Sequence, residues 1–503
     1  MIIPGRRALT LALAALAACG GTAVAIHYHR LGLTLTHYDA RAHLVVARRI
    51  FDSITPGWQQ IGAVWLPLPH LLNALPVQID LFYRTGFSAI AISILSLAVA
   101  TGAVGWMVAT LTESSAAAVA AAAVFALNPN ILYLQSTPMT EPLLMALTLA
   151  SVALLMAWCD GGETVSTMTV GVAFALACMT RYEAWPVMIS ALVAAVWVRW
   201  RHGSLFSDAV RAVIGIAIYP ATTIAVFIVF SRIVTGTWFA NDFFVPENNA
   251  KGHPYDALKE IAWGVRELSG YGLVLIALAG AVLLALFGLF SKRRATAILP
   301  MALASTAAVS WLAFLDGHPY RIRYMVPLLA PEAVFAGIFA GVFAGALKRL
   351  QPVAVVGLLL IAAFELRPLD TSAPMVVEAQ WDKPNIVARD RVSAYLRSNY
   401  HGETVMVSMG SLGHYMQDLS RSGFSIRDFL HEGNGDIWLC ALEHPRPFAG
   451  WMLIEEKAEG GDMLAKLARE NPKFLNGFSR VSEAAGVALY RRMPISTSED
   501  ARR

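Results

Sequence analysis

The sequence predicts a polytopic α-helical membrane body followed by a soluble α/β domain. Three observations carry this. Of 503 residues, 56% are hydrophobic and 15% charged, whereas a soluble globular chain carries roughly a quarter charged. Apolar runs close to the length that crosses a bilayer recur from residue 8 to residue 366. Residues 366–503 then hold 35 of the 74 charged side chains. The chain therefore divides into a membrane domain, 1–365, and a polar domain, 366–503. A net charge of +4, small and dispersed, does not suit a nucleic-acid partner.

In chain order, Arg6-Arg7, an apolar run from Ala8 and Leu16-Ala17-Ala18-Cys19-Gly20 have the layout of a cleavable signal with a lipoprotein-type cysteine. A first transmembrane helix continuing to Ile26 is the simpler reading. Further spans are expected at 86–111, 115–133, 140–158, 165–180, 184–199, 211–233, 271–290, 295–315, 324–347 and 352–366. That makes about eleven. The run 61–79 is apolar too, but Pro67, Pro69, Pro76, His70 and Asn73 interrupt it. It reads as an interfacial or re-entrant segment, since irregular backbone is costly in lipid. Cys19, Cys159, Cys178 and Cys440 form no disulfide or metal-binding spacing.

Basic residues at 199–211, 291–294 and 348–349 place those loops, and the N-terminus, in the cytoplasm. Loops 112–114 and 159–164, with Glu113, Asp160 and Glu163, add no such support. On this orientation every polar motif faces outward: 37–70, 128–142, 180–185, 235–256, 316–323 and the tail. Span centres are nearly free of ionisable residues, which a transporter usually places there.

The tail reads as a small, partly parallel α/β unit. Helices are expected at 385–398 and 462–470, and strands at 403–408, 450–455 and 487–491. Met409-Gly410-Ser411-Leu412-Gly413 lacks the third glycine and the basic residue of a phosphate-binding loop. It reads as a turn after a strand.

Chemistry concentrates in the outward loops. His37-Tyr38-Asp39-Ala40-Arg41-Ala42-His43 opens an amphipathic helix with Ala40, Leu44, Ala47 and Phe51 on one stripe, suited to lying on a membrane surface. Asp39 also fits a capping box begun by Thr36, and the two roles are compatible. In Asn128–Pro142, Thr140 is placed to cap a helix with Pro142 in its first turn, and Glu141 meets the positive helix end. Thr180-Arg181-Tyr182-Glu183-Ala184-Trp185 is a polar junction or an interfacial anchor. Asp316-Gly317-His318-Pro319-Tyr320-Arg321-Ile322-Arg323-Tyr324 gathers arginines suited to bidentate binding of a phosphate ester; headgroup snorkelling is the plainer role. The loop 235–256, with Trp238, Asp242, Glu247, Asn248, Asn249, Lys251 and His253, has the length of a mobile lid. His37, His43, His70, His253 and His318 share this face, and a divalent metal with Asp39 or Glu141 is one use for them. None has the spacing of a helical zinc site.

These motifs together resemble the GT-C membrane glycosyltransferases, and among them the dolichyl-phosphate-mannose protein mannosyltransferases and the bacterial aminoarabinose transferases. The likeness rests on Tyr38-Asp39 before an amphipathic helix, Asn128-Pro129 near Thr140-Glu141-Pro142, Thr180-Arg181-Tyr182-Glu183, Arg321-Ile322-Arg323-Tyr324 and the outward tail. It implies transfer of a hexosyl- or pentosyl-type sugar from a polyprenyl-phosphate donor, with inversion, on the outer face of a bacterial-type inner or plasma membrane. Membrane lipids surround the body, and the acceptor is a lipid, glycan or protein. Asp39 takes the place of the family's general base, with Glu141 for the second acid that other members carry beside the first. Here Ala40 follows Asp39. Arg181, Arg321, Arg323 and His318 would hold donor phosphate, and Tyr38, His43, Tyr182, Glu183 and Tyr320 the substrates. No metal is required if arginines supply the positive charge. A lipid-linked-glycan flippase is the alternative, and an inactive scaffold a third reading.

Overall fold

Uninterrupted apolar runs become helices because a helix satisfies its own backbone in lipid. The computed structural model describes residues 4–161, 165–236, 238, 248–342 and 345–494. Among them, seven helices are long and apolar enough to cross a bilayer: Gly5–Arg30, Phe87–Thr112, Glu141–Cys159, Phe206–Thr235, Tyr271–Phe290, Lys292–Leu315 and Ile322–Gly341. The expected eleven spans include four shorter or more polar pieces. Ser115–Ala126 stops at Asn128-Pro129, Thr167–Cys178 is equally short, Ala184–Arg201 ends on Arg199 and Arg201, and Gln351–Glu365 has 15 residues. The chain is an integral membrane protein with a small C-terminal sheet.

Leu329–Gly341 forms the centre of the body and is buried along nearly its whole length. Close packing there depends on small residues. A Cβ added at Gly280 would run into the Phe335 carbonyl. Outer helices such as Pro4–Arg30 and Phe206–Thr235 instead leave long apolar faces exposed. Segment 58–81 folds as short pieces, Trp58–Ile61, Leu68–Asn73 and Pro76–Gln78. It exposes Trp58, Val64, Leu71, Leu72, Leu75 and Ile79, as an interfacial segment would.

The C-terminal region folds round a five-stranded sheet of order β2-β1-β3-β5-β4. The strands are β1 (Val405–Val407), β2 (Phe429–Leu430), β3 (Trp451–Glu455), β4 (Phe478–Ala484) and β5 (Val487–Arg492). β1 runs parallel to β2 and β3, and β5 antiparallel to β3 and β4. Ala485 (φ 48°) and Gly486 (φ 83°) turn β4 into β5, both in the left-handed region that a two-residue hairpin turn requires. The helices Lys383–Asn399 and Met463–Glu470 match expectation. Residues 409–413 do not form a turn: they begin the helix Met409–Leu419, whose first amide donates to Glu432 Oε2 at 2.7 Å.

The first-loop helix Tyr38–Arg49 departs most from expectation. It does not lie on the membrane with an open polar face, because the C-terminal region covers that face. Leu44, Val45 and Ala47 share a core with Val392, Leu396, Leu412 and Met416. Arg41 is 1% exposed, forms an ion pair with Asp418 and lies 3.6 Å from Asp382. Beyond the helix, Asp52 accepts from Arg48 Nε at 3.0 Å, Arg427 Nε at 2.9 Å and the Ile426 amide at 3.2 Å. Gln60 Nε2 donates to the Gly433 carbonyl at 2.7 Å. Removing one partner of a buried ion pair costs about 3 kcal/mol or more. Arg41→Ala should therefore lower the thermal midpoint of the detergent-solubilised protein and open residues 383–494 to limited proteolysis.

Candidate active site

Asp39 is placed by one helix start. His37 is extended (φ −68°, ψ 127°), and its Nδ1 accepts from the Asp39 amide at 3.1 Å. His37 thus caps the helix, and the capping box expected from Thr36 does not form. The Thr36 hydroxyl binds the Leu33 carbonyl at 2.7 Å and lies 3.1 Å from the Tyr133 hydroxyl. Asp39, in the first turn, has its carboxylate at the positive helix end and paired with Arg323, both side chains buried. Burial opposes the charge on Asp39. Arg323 outweighs it and holds the carboxyl at about 2.

A second ion-paired group lies within electrostatic reach of the first. Arg181 binds Glu141 at 3.0 Å and Glu183 at 2.7 Å. Its Nη1 also donates to the Thr140 hydroxyl at 3.1 Å. Thr140 does not cap its helix through its side chain as expected; its hydroxyl serves Arg181. The Thr-Glu-Pro and Thr-Arg-Tyr-Glu junctions thus form one cluster. Burial works against the Arg181 cation, and Glu141 and Glu183 overcome this and raise its pKa.

His43 Nδ1 and His70 Nε2 are 3.0 Å apart, and the His43 ring packs on Trp65 at 4.1 Å. Burial, then the neighbouring imidazole, depresses His43; burial holds His70 at about 3. Both rings are neutral at pH 7. Tyr38 stacks on His37 at 4.8 Å and edges toward Trp381 and His414. Tyr182 donates to the Ala63 carbonyl at 3.3 Å. Arg321 is half-buried and acts on Tyr38 and His318. The His318 ring edges against Tyr324 at 5.4 Å. Tyr320 packs against Phe314 and Trp263 and lines a surface cleft of 320 Å³ with Lys259 and Glu260. In the loop expected as a lid, 237 and 239–247 lie outside the described residues, with Asp242 and Glu247 among them; so does Glu163. Its far end packs on the arginine loop, the Asn248 amide donating to the Gly317 carbonyl at 2.9 Å.

Sequence reasoning passed over Glu378 and Trp65. Glu378 sits in Pro374–Ala379, after the last apolar helix, where no motif distinguishes it. Among the described residues no group of three or more His, Cys, Asp or Glu side chains is placed to hold a metal ion.

This arrangement of membrane body and C-terminal sheet matches a solved structure. The crystal structure of ArnT from Cupriavidus metallidurans bound to undecaprenyl phosphate superposes with a TM-score of 0.59 at 12% identity, covering 93% of this chain and 97% of that one. The chain has the ArnT fold. This is the fold that the resemblance of the motifs implies. No protein-family model and no curated protein matches the chain by sequence.

The Asp39 pKa carries a pH dependence with a definite sign. A carboxyl that titrates at about 2 folded and at about 4 unfolded contributes stability above pH 4. That contribution, on the order of 2 kcal/mol, is lost as pH falls from about 4 to 2. Thermal midpoints measured across pH 2–5 should fall more steeply in the wild type than in Asp39→Asn, which lacks this carboxylate.

Proposed function

We propose that the protein transfers a sugar from a polyprenyl-phosphate donor to an acceptor hydroxyl, with Asp39 as general base and with inversion. The observation that carries this is the buried Asp39–Arg323 pair beside Arg181 and Glu141. It puts a base and two guanidinium groups in one patch, where acceptor and phosphate must both reach. The ArnT fold supports it, ArnT being a protein crystallised with undecaprenyl phosphate.

In the reaction, the acceptor oxygen attacks the anomeric carbon as Asp39 takes its proton. The bond from that carbon to the phosphate oxygen breaks, and the electron pair leaves with polyprenyl phosphate. Arg323 and Arg181, with Arg321 nearer the surface, stabilise the developing charge. A base at about 2 is weak for work near neutral pH. Phosphate competing for Arg323 would strip Asp39 of its cation and raise its basicity. Glu141 holds Arg181 in place, and His43, Tyr38, Tyr182 and Glu183 line the substrate side. Charge comes from arginine, so the scheme calls for no metal.

We place this site, and the C-terminal domain 366–503, on the extracytoplasmic face of a bacterial-type membrane, with the membrane domain 1–365 entering from the cytoplasm. Positive-inside loops support that orientation. A flippase remains the second reading. Glu332, buried inside a span and bound by Ser269 Oγ at 2.9 Å, favours it, though one carboxylate makes no path.

Purified protein given labelled polyprenyl-phosphate sugars should transfer label, and given nucleotide sugars should not. Asp39→Asn should remain in the membrane and lose roughly 10²–10⁴-fold in rate. Full activity in that variant would overturn the assignment. Arg323→Ala and Arg321→Ala should weaken use of the donor more than of the acceptor.

A further inference from the structure

The approach of Asp39 to Arg323 is held by a side chain from a third segment. Asp39 belongs to the first loop and Arg323 to the loop before the central helix, far apart in sequence. Their own ion pair joins them, and a third segment adds to it. Glu378 touches both. Its Oε2 accepts from the Ile322 amide at 2.8 Å, one residue before Arg323. Its Oε1 faces His37 Nε2 at 3.9 Å. Among the described residues neither of those two buried atoms has a hydrogen-bond partner, and at 3.9 Å each is the other's facing polar group.

His37 transmits this contact to the base. Its Nδ1 accepts from the Asp39 amide, so in the neutral ring the proton sits on Nε2. That nitrogen lies on the side of the ring that faces the Glu378 carboxylate, 3.9 Å away. A chain thus runs from carboxylate to imidazole to the amide of Asp39, and a second runs from the same carboxylate to the backbone of Arg323. Glu378 is largely buried and held as a carboxylate, burial being outweighed by its His37 contact and Arg323.

We propose that Glu378 is a positioning residue, contributed by the segment leading into the C-terminal region, that sets the geometry between the base Asp39 and the phosphate-binding Arg323. The proposal rests on the glycosyl-transfer reading for its kinetic consequences. Its structural content, a His37 ring held between the Asp39 amide and Glu378 with both favouring the Nε2–H tautomer, stands apart from that reading. Acting through another group, Glu378 touches neither substrate nor reacting atoms. An orienting partner of this kind is worth about 10–100-fold in metal sites built the same way.

The test uses the full-length protein with Glu378→Ala, Glu378→Gln, His37→Ala and the double variant His37→Ala/Glu378→Ala. Glu378→Ala should lower kcat at least tenfold while donor KM changes less than threefold. His37→Ala should do the same, and the double variant should lose little more than either alone, because both break one chain. Glu378→Gln keeps an acceptor for the Ile322 amide and should fold even where alanine does not. It should still lose kcat, because its amide cannot serve the histidine N–H as the carboxylate does. Nitrogen-15 NMR of His37 gives the readout free of turnover: Nε2–H alone in the wild type, and a mixture of tautomers in Glu378→Gln. An unchanged tautomer with unchanged kcat, or fully additive losses, would overturn the proposal. Transfer that survives Asp39→Asn while the tautomer still responds to Glu378 would instead overturn the glycosyl-transfer reading and leave the positioning contact standing.

Discussion

A helix that carries charge can be buried on all sides only if every charge finds a partner. That constraint governs this protein. Tyr38–Arg49 is enclosed between the membrane body and the C-terminal region, and each of its long polar side chains is answered. Arg41 meets Asp418 and Asp382, Arg48 meets Asp52 and Asp80, Asp39 meets Arg323, and Arg49 donates to the Gln60 and Ile61 carbonyls. Buried ion pairs rarely stabilise more than well-packed apolar groups would, because desolvation offsets their attraction. They do fix register. Here they fix how the sheet region sits over the body and where Asp39 stands.

The same balance describes the site. Arg181 and Arg323 are opposed by Asp39, Glu141 and Glu183, all buried or nearly so. The cations are saturated from within the chain, so in the proposed reaction an incoming phosphate would meet guanidinium groups that already have partners. Affinity for it would come from exchanging one anion for another. Such an exchange is favoured when the new anion offers more oxygens in better geometry. The neutral His43–His70 pair against Trp65 supplies an uncharged wall on the other side of Asp39.

Much of this was legible in the sequence, and the limits were physical. Long apolar runs such as 86–111 and 271–290 became helices within a residue or two of the expected ends, because hydrophobicity and length alone decide them. Short runs such as 115–133 broke where Asn128-Pro129 provides a new cap. β2, two residues long, and β4, with a shift in register at Arg480/Ser482, carry too little pattern to be read. Asp39, Glu141, Arg181 and Arg323 were visible as candidates because charged groups are rare beside spans. Their pairing was not, since Arg181 meets Glu141 across 40 residues and Asp39 meets Arg323 across 284. Glu378 lay in a segment that reads only as the exit from the last span.

The enclosure of the first-loop helix also has a consequence in time. Arg41 and Asp418 are 377 residues apart. At about 5–20 residues per second of synthesis, their encounter comes on the order of 20–75 s after Arg41 is made. Throughout that interval Arg41 is without Asp418, although the partners of Arg48 and Asp39 at 52, 80 and 323 are made earlier. The membrane body is thus made well before the C-terminal region that covers this helix, and a half-made chain holds Asp39 without that cover. The enclosure of this helix is in this sense among the last features the growing polypeptide acquires.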